Sequence, residues 1–226
     1  MTVRRRGKLL VGPVDLTLGP AGLTIVLGPN GSGKTTLLRA LHGLERLSAG
    51  TVSWQMPAPD CQTRQAFVFQ RPVMMRRSVQ DNLAYPLTLA GMPRKAARKM
   101  AAEWAARVGL GHVLDIPAPQ LSGGERQKLA LARALMRQPE MLFLDEPCAA
   151  LDGPATREIE TILSQALADG TRILMATHDI GQARRLATDI LFMMGGQIIE
   201  QGPATAFFAN PQTPQAKALI NGDIVE

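Results

Sequence analysis

One short glycine-rich run limits what this chain can fold into more than any other feature. Its residues are Gly28, Pro29, Asn30, Gly31, Ser32, Gly33, Lys34, Thr35 and Thr36. They fit the spacing G-x-x-x-x-G-K-[ST], in which glycines let backbone N–H groups turn toward phosphate oxygens. An apolar run at 23–27 precedes the loop as a buried strand would, and leucines follow it at helical spacing until Gly43. The order strand, loop, helix predicts a nucleoside triphosphate site and disfavours a chance glycine-rich turn.

Within that site the sequence assigns two specific roles. Lys34 is expected to reach the β- and γ-phosphates, and the Thr35 hydroxyl is expected to bind Mg²⁺. The predicted ligands are therefore ATP or a similar nucleotide, together with Mg²⁺.

Composition limits the remaining possibilities. The 226 residues are 46% hydrophobic, enough for one sizeable core with room for a subdomain. The net charge of +6 is compatible with binding to nucleic acid or to an anionic membrane surface, and also with a solvated surface that has no charged partner. Two cysteines without a framework fit a reducing compartment. Because no signal-peptide region and no run of about 18 apolar residues occurs, a role at a membrane would require partner subunits.

Apolar runs alternate with helical patterns along the chain, which predicts an α/β fold with a mainly parallel sheet. Residues 1–27 are predicted to be strands, and Pro57, Pro59 and Asp60 suggest a loop. Ala97, Met100, Ala101, Trp104 and Val108 share one helical face, with Trp104 as a core anchor. Individual strands are predicted at 14–18, 51–55, 66–69, 141–144 and 173–177, with a hairpin at 190–199. Helices are predicted within the proline-punctuated segment 71–120, at 159–167, after His178 and near 216–220.

Two adjacent acidic residues, Asp145 and Glu146, follow the apolar strand 141–144. Ligands of α/β sheets bind at the carboxyl ends of the strands, so Asp145 is expected to hold Mg²⁺ there. Glu146 is expected to orient and deprotonate an attacking water as general base. The alternative is that both residues simply open a loop.

The segment Leu121-Ser122-Gly123-Gly124-Glu125 carries a second signal. Ser122 and Glu125 have the spacing of a capping box, which any helix could use. A cap does not need Gly123 and Gly124, however. Two glycines leave backbone uncovered at a helix N-terminus, which predicts a second anion site.

Taken together, these stretches resemble the ATP-binding subunit of an ATP-binding-cassette (ABC) transporter over essentially the whole chain. Residues 28–36 match the Walker A motif, and residues 121–125 match the LSGGE signature of the family. Residues 141–146 match Walker B and the catalytic glutamate. The remaining matches are the Q-loop glutamine (Gln70), the D-loop (150–152) and the switch histidine (His178).

The resemblance implies a P-loop NTPase core with an N-terminal antiparallel β-subdomain and an inserted helical subdomain. The chain would be a single ABC ATPase domain, 1–226, whose core comprises 1–70 and 121–226 and whose insert is 71–120.

The resemblance also implies that two copies face each other head to tail, with ATP between Walker A of one and the signature of the other. Ser122, Gly123 and Gly124 would then bind the γ-phosphate across the interface. His178 would contact the same phosphate. Gln70 would sense Mg²⁺ and the attacking water, and Asp152 would couple the two sites.

The chain departs from the family pattern in two places. Residues 1–20 lack the aromatic residue that usually stacks on adenine, so we expect weak stacking or a substitute from Arg5 or Arg6. Cys148 stands where Thr or Ser is common, and a small tolerated residue is favoured over redox control.

The resemblance extends to partners. The segment 71–83, with Val73, Met74 and Met75 beside a basic pair, would meet the coupling helix of a transmembrane permease subunit. The subunit would lie peripherally on the cytoplasmic face of the membrane, with a solute-binding protein acting indirectly.

Segment 70–83 and the compact C-terminal tail look most like tungstate- and phosphate-type oxyanion importers. The alternatives are an amino-acid importer, a lipoprotein-release exporter, or a soluble ABC protein acting on nucleic acid or ribosomes. A nucleic-acid partner is not expected, because the chain lacks a second cassette and a coiled-coil insertion. A P-loop nucleotide kinase is disfavoured because it leaves residues 121–125 unexplained.

Overall fold

Two β-sheets organise the computed structural model, which describes residues 1–55, 61 and 63–223. Near the N-terminus, β1 (Val3–Arg5) and β2 (Lys8–Val11) pair antiparallel. The central sheet has the order β4-β5-β6-β3-β7-β8, parallel except for the antiparallel β7–β8 pair. Its strands are β3 (Leu23–Leu27), β4 (Gln65–Val68), β5 (Met141–Asp145), β6 (Arg172–Thr177), β7 (Asp189–Met194) and β8 (Gln197–Pro203).

Helices cover both faces of this sheet and form a separate layer beside it. They are α1 (Lys34–His42), α2 (Val79–Leu89), α3 (Arg94–Arg107), α4 (Gly123–Leu135), α5 (Gly153–Ala168), α6 (Ile180–Leu186), α7 (Ala204–Ala209) and α8 (Pro214–Asn221). Two 3₁₀ turns, Gly111–Val113 and Ala118–Gln120, connect α3 to α4.

Side chains of the central strands alternate between two hydrophobic clusters. Leu23, Ile25 and Leu27 pack with residues of α4 and α5 on one face of the sheet. Val26 points to the other face, where Leu37 and other residues of α1 lie. A parallel sheet covered on both faces requires nearly continuous apolar strands, and β3, β5 and β6 are fully buried.

The helical insertion has its own cluster, built mainly from α2 and α3. Ala97, Ala101 and Ala105 are fully buried along α3, which confirms the helix and its predicted inward face. Trp104 packs against this cluster and against the cluster beneath the central sheet, as the prediction of a core anchor requires.

Two predicted strands are wrong. Residues 14–18 and 51–55 form no strand, although Val14 is buried and Leu16 and Leu18 pack against the same cluster. Their alternation reflects one-sided burial without a neighbouring strand to hydrogen-bond. The N-terminal strands are β1 and β2 instead. The 190–199 hairpin is confirmed as β7–β8, and the loop predicted from Pro57, Pro59 and Asp60 lies outside the described residues.

The strand order determines where the site lies. β4, β5, β6 and β3 are neighbours and parallel, so their carboxyl ends meet at one edge of the sheet. Gln70 follows β4, Asp145 and Glu146 end and follow β5, His178 follows β6, and residues 28–36 follow β3. All four predicted segments therefore meet at the edge where α/β sheets bind ligands.

Candidate nucleotide-binding site

The glycine loop presents the free N-terminus of α1. Gly33 is the N-cap of this helix at φ 103°, a left-handed conformation that favours glycine. A Cβ at Gly33 would also lie 3.1 Å from the backbone oxygen of Leu10 at the end of β2. No side chain caps the helix, so its first N–H groups and its dipole are free to bind an anion.

Lys34 is buried and its ammonium faces three acceptors. Its Nζ donates to the carbonyl oxygens of Gly28 at 2.8 Å and Pro29 at 3.0 Å. The same atom lies 3.4 Å from Glu146 Oε1. A buried ammonium requires such partners, and a phosphate at the loop would offer it a stronger one.

Thr35 and Asp145 place two oxygen atoms together beside the loop. Thr35 Oγ1 donates to Asp145 Oδ1 at 2.7 Å. Burial raises the pKa of the Asp145 carboxyl, while the Thr35 hydrogen bond and the charges of Arg39 and Lys34 oppose that rise. A buried carboxylate next to a hydroxyl is an oxygen donor set that suits Mg²⁺.

The remaining ligands of such an ion would come from elsewhere. Across residues 1–55, 61 and 63–223, no group of three or more His, Cys, Asp or Glu side chains is placed to hold a metal. Mg²⁺ usually keeps several waters and binds substrate phosphates, so one carboxylate and one hydroxyl are enough.

Glu146 is the point on which the other predicted catalytic residues converge. Gln70 Nε2 donates to its Oε2 at 3.3 Å, and His178 Nδ1 lies 3.2 Å from the same oxygen. The Glu146 backbone N–H donates to Ala176 O at 3.0 Å and its φ is 48°. This φ lies in the left-handed region. A non-glycine residue held there costs about 1–3 kcal/mol of folding free energy, and such residues cluster at functional sites.

These residues line one cavity of about 500 Å³. The cavity is lined by residues 30–36 of the loop and by Gln70, Glu146, Ala149 and His178. Asp145 lies just behind it, hydrogen-bonded to Thr35. The structure therefore brings together the predicted catalytic residues Lys34, Gln70, Glu146 and His178.

Within the described part of the chain, Ser122, Gly123, Gly124 and Asp152 do not line this cavity. Ser122 is the N-cap of α4, and Asp152 is the N-cap of α5, where its Oδ1 accepts from Ala155 N at 2.9 Å. Within one copy of the chain, the predicted signature segment therefore lies away from the glycine loop.

The capping box is confirmed at the start of α4. Glu125 N donates to Ser122 Oγ at 3.3 Å, and Glu125 Oε2 accepts from Ser122 N at 2.9 Å and from Ser122 Oγ at 2.7 Å. These hydrogen bonds from Ser122 lower the pKa of Glu125.

The two signature glycines differ in their surroundings. A Cβ at Gly124 would approach Ala155 Cβ to 3.1 Å, so close packing of α4 on α5 explains this glycine. At Gly123 the closest atom would be Leu151 Cδ2 at an ordinary 3.8 Å. Packing therefore does not require glycine at 123, which agrees with a role in exposing backbone to an anion.

Sequence reasoning missed Arg39. Its guanidinium carbon lies 5.8 Å from the ring centre of Phe69, next to Gln70, and its charge opposes the rise that burial causes in the pKa of Asp145. The spacing could have indicated this residue, because Arg39 follows Thr35 by four positions and therefore lies on the same face of α1.

Two other residues concern the positions at which the sequence departs from the pattern of the ABC family. Arg5 forms an ion pair with Glu45 at 2.7 Å, so its guanidinium already has a partner. Burial raises the pKa of the Cys148 thiol to about 11, which keeps it protonated and unreactive. This favours packing over redox control at Cys148.

A family model described as "ABC transporter" matches residues 11–149. The chain belongs to the ABC transporter family. The match includes the glycine loop, the signature segment and both acidic residues at the end of β5, Asp145 and Glu146. ATP hydrolysis coupled to transport is the activity of these subunits, and the chain is an ATPase of this kind. No helix in the described part of this ABC protein is long and apolar enough to cross a membrane.

Relatives of this ABC protein carry the names of amino-acid transport systems. It is 34% identical over 230 residues to the L-cystine transport system ATP-binding protein TcyN of Escherichia coli K12, covering 95% of this chain and 92% of the relative. It is 36% identical to a methionine import ATP-binding protein MetN of Cereibacter sphaeroides, covering 92% of this chain but 62% of the relative. It is 33% identical to the glutamate transport ATP-binding protein GluA of Corynebacterium glutamicum, covering 92% and 90%.

Solved structures agree on the fold. The cbiO1 subunit of the cbiONQ ABC transporter complex of Clostridium perfringens superposes with a TM-score of 0.82 at 27% identity, over 92% of this chain and 88% of that one. The ATP-binding cassette MJ0796, solved as a dimer with ADP and Pi after hydrolysis, gives 0.79 at 25% identity, over 90% and 95%. These likenesses confirm the α/β P-loop fold with its helical insertion.

The expected oxyanion cargo finds no support among these relatives, whose names specify cystine, methionine and glutamate. The expectation rested on segment 70–83 and the C-terminal tail.

Proposed function

We propose that this ABC protein is the ATP-binding subunit of an importer for an amino acid or a closely related small solute. The names of its relatives support this cargo over an oxyanion. In this proposal the chain works as a head-to-tail dimer beneath transmembrane permease subunits, on the cytoplasmic face of the membrane. An extracytoplasmic solute-binding protein would act on the permease and not touch this chain, and no nucleic acid takes part.

The observation that carries the catalytic part is the convergence on Glu146. Its carboxylate lies at the carboxyl end of β5, facing the cavity in front of α1. From there it can accept a proton from a water that attacks the γ-phosphate. Gln70 and His178, both within 3.3 Å of Oε2, would orient that water and the phosphate. Lys34 would exchange its carbonyl and Glu146 contacts for phosphate oxygens.

Thr35 and Asp145 are the residues that would hold Mg²⁺. A bound ion would neutralise charge on the β- and γ-phosphate oxygens as the bond to the γ-phosphate breaks. The burial of Asp145 makes its carboxylate costly without a cation, which fits a site built to receive one.

A second copy would complete the site. Ser122 and Gly123 lie at the N-terminus of α4, away from the loop cavity of their own chain. The uncovered backbone at Gly123 could bind the γ-phosphate held by the partner's glycine loop. Asp152 begins α5 beside this segment and would couple the two composite sites. The dimer described for MJ0796 supports such pairing.

The permease would bind exposed apolar residues of the insertion, which are Val73, Tyr85 and Leu89 and which we name the insert surface. Val73 is 75% and Leu89 74% exposed, and Tyr85 lies one helical turn before Leu89 on α2. Tyr85 and Leu89 are neighbours on the helix surface, and adjoining exposed apolar residues mark interaction sites. Met74, in contrast, packs against two hydrophobic clusters, so its role is structural.

Asn82 holds the chain leading to this surface in place. Its Nδ2 donates to the carbonyl oxygens of Met75, Arg77 and Ser78, and its Oδ1 accepts from Met75 N. A fully buried amide with these bonds fixes residues 75–78, which follow Gln70 closely. A displacement of the insert surface could thus be transmitted through residues 75–78 to Gln70 in the nucleotide site.

The test is purification of the complex followed by uptake. The tagged chain, solubilised from the membranes of the cells that make it, should retain a multi-span permease, whereas a Val73→Asp, Leu89→Asp variant should lose it. The recovered complex is then placed in vesicles with ATP and its uptake of labelled amino acids and of tungstate is measured. ATP-dependent amino-acid uptake supports the proposal. Uptake of tungstate alone, or retention of nucleic acid instead of a permease, would refute it.

A further inference from the structure

An ion pair joins α5 to α6, the helices that follow Asp152 and Asp179. It has no role in the activity described so far. Arg185 Nε donates to Glu160 Oε2 at 3.0 Å, and Arg185 Nη2 donates to Glu160 Oε1 at 2.6 Å. The Glu160 side chain is only 11% exposed, while that of Arg185 is 53% exposed. Two parallel bonds fix the angle between the side chains as well as their distance.

Each partner belongs to a helix that begins at a predicted site residue. α5 starts after its N-cap Asp152, and Glu160 lies about two turns into that helix. α6 starts after its N-cap Asp179, the residue that follows His178. The pair therefore joins the helix behind the D-loop to the helix behind the switch histidine.

α6 contacts the core through a small face. It is seven residues long, and its buried residues are Gln182 and Ala183. Leu186 packs, partly buried, against the cluster beneath the central sheet, and the Gln182 side chain hydrogen-bonds to Cys148. The two-pronged pair with Glu160 adds a directional contact to this small face.

The Arg185 guanidinium also covers the first turn of α6. A Cβ at Gly181 would lie 3.3 Å from Arg185 Nη1 and 3.2 Å from Asp179 Oδ1, so these groups share the space over that glycine. Hydrogen bonding to Glu160, with the nearby charge of Asp179, raises the pKa of Arg185. The cation thus binds Glu160 and lies over the first turn of α6, two residues after His178.

We propose that the Glu160–Arg185 pair is a positioning device that fixes α6, and with it His178, relative to α5 and Asp152. The inference rests on the proposed roles of His178 and Asp152. Without Arg185 the carboxylate of Glu160 would remain buried and unpaired, which favours a shift of α6 that rehydrates it. A shift of about 1 Å is enough to lower the rate of a positioned reaction.

The test compares Arg185→Gln with Arg184→Gln, its neighbour on α6. Arg184 stacks on Phe208, 4.5 Å from the ring centre, and does not take part in the pair. We expect Arg185→Gln and Glu160→Gln to lower the kcat of ATP hydrolysis by about threefold to tenfold with KM for ATP unchanged. Arg185→Lys, which keeps the charge but loses the two-pronged geometry, should fall between, and Arg184→Gln should match the parent.

A merely structural role would lower the melting temperature and leave kcat within twofold of the parent, which would overturn the inference. Parallel rises in KM and losses of kcat in both arginine variants would do the same. If Arg185→Gln does not fold, Arg185→Lys decides by the same criteria. His178→Ala is measured alongside. If it lowers kcat and Arg185→Gln does not, only this inference fails; if it leaves kcat unchanged, the proposed role of His178 fails first.

Discussion

His178 Nδ1 lies 3.2 Å from Glu146 Oε2, so the histidine that follows β6 contacts the carboxylate that follows β5. These two strands are neighbours, with Asp145 opposite Ala176 in the register. The contact joins the proposed general base to the group proposed to hold the γ-phosphate. The histidine is half exposed and free to turn toward a bound nucleotide.

We expect His178→Ala to lower kcat by about 100-fold, as loss of one positioned donor to a transition state typically does. KM for ATP should change little, because the glycine loop supplies most of the ground-state binding. Steady-state hydrolysis measures both constants. The matched control is His112→Ala, an exposed histidine near Glu125 on α4. Equal activity of the two variants would refute the role of His178.

Asp145→Asn should stabilise the nucleotide-free chain while abolishing Mg²⁺-dependent hydrolysis. Burial raises the pKa of Asp145, so the folded state binds this proton more tightly than the unfolded chain, and ionisation at neutral pH costs folding free energy. Asparagine removes that cost and can still accept from Thr35. We expect the melting temperature at neutral pH to rise by a few degrees.

The gain should shrink as the pH falls through the pKa of Asp145, because the parent carboxyl is then protonated as well. Thermal unfolding followed by circular dichroism at neutral and acidic pH measures this trend. A lower melting temperature for the variant at neutral pH would show that the charge of Asp145 stabilises the fold.

The two signature glycines provide a matched pair of substitutions. Gly124→Ala should lower the melting temperature, because its Cβ would approach Ala155 Cβ to 3.1 Å and the closely packed α4 and α5 would have to shift slightly. Gly123→Ala meets only an ordinary contact and should leave the melting temperature unchanged or slightly higher. It should nevertheless weaken ATP-dependent dimerisation, measured by sedimentation. Dimerisation of Gly123→Ala equal to that of the parent would contradict a role in binding phosphate.

Much of this site could be predicted from the sequence because its chemistry depends on local spacing. The glycine loop, the acidic pair at the end of β5 and the capping box at Ser122 each need only a few consecutive residues. The structure adds what spacing cannot give: the strand order β4-β5-β6-β3, which brings Gln70, Glu146 and His178 within contact.

The failures arise where a pattern depends on distant parts of the chain. Residues 14–18 alternate like a strand, and Val14 is buried, but no strand pairs with them. Alternation records which face is buried and not whether a neighbouring backbone is present. Glu160 and Arg185 could not be paired in advance either, because 25 residues and a strand separate them.

The most direct test of the catalytic account is Glu146→Gln, which keeps the shape of the side chain but removes the base. ATP hydrolysis and ATP-dependent sedimentation are measured against the parent and against Glu140→Gln. The control residue precedes β5 and pairs with Arg64 on the surface. We predict that hydrolysis collapses by about 100-fold or more in Glu146→Gln alone, and that ATP traps this variant as a dimer. Unchanged hydrolysis without a dimer would show that Glu146 is not the base and that the two half-sites do not close on each other.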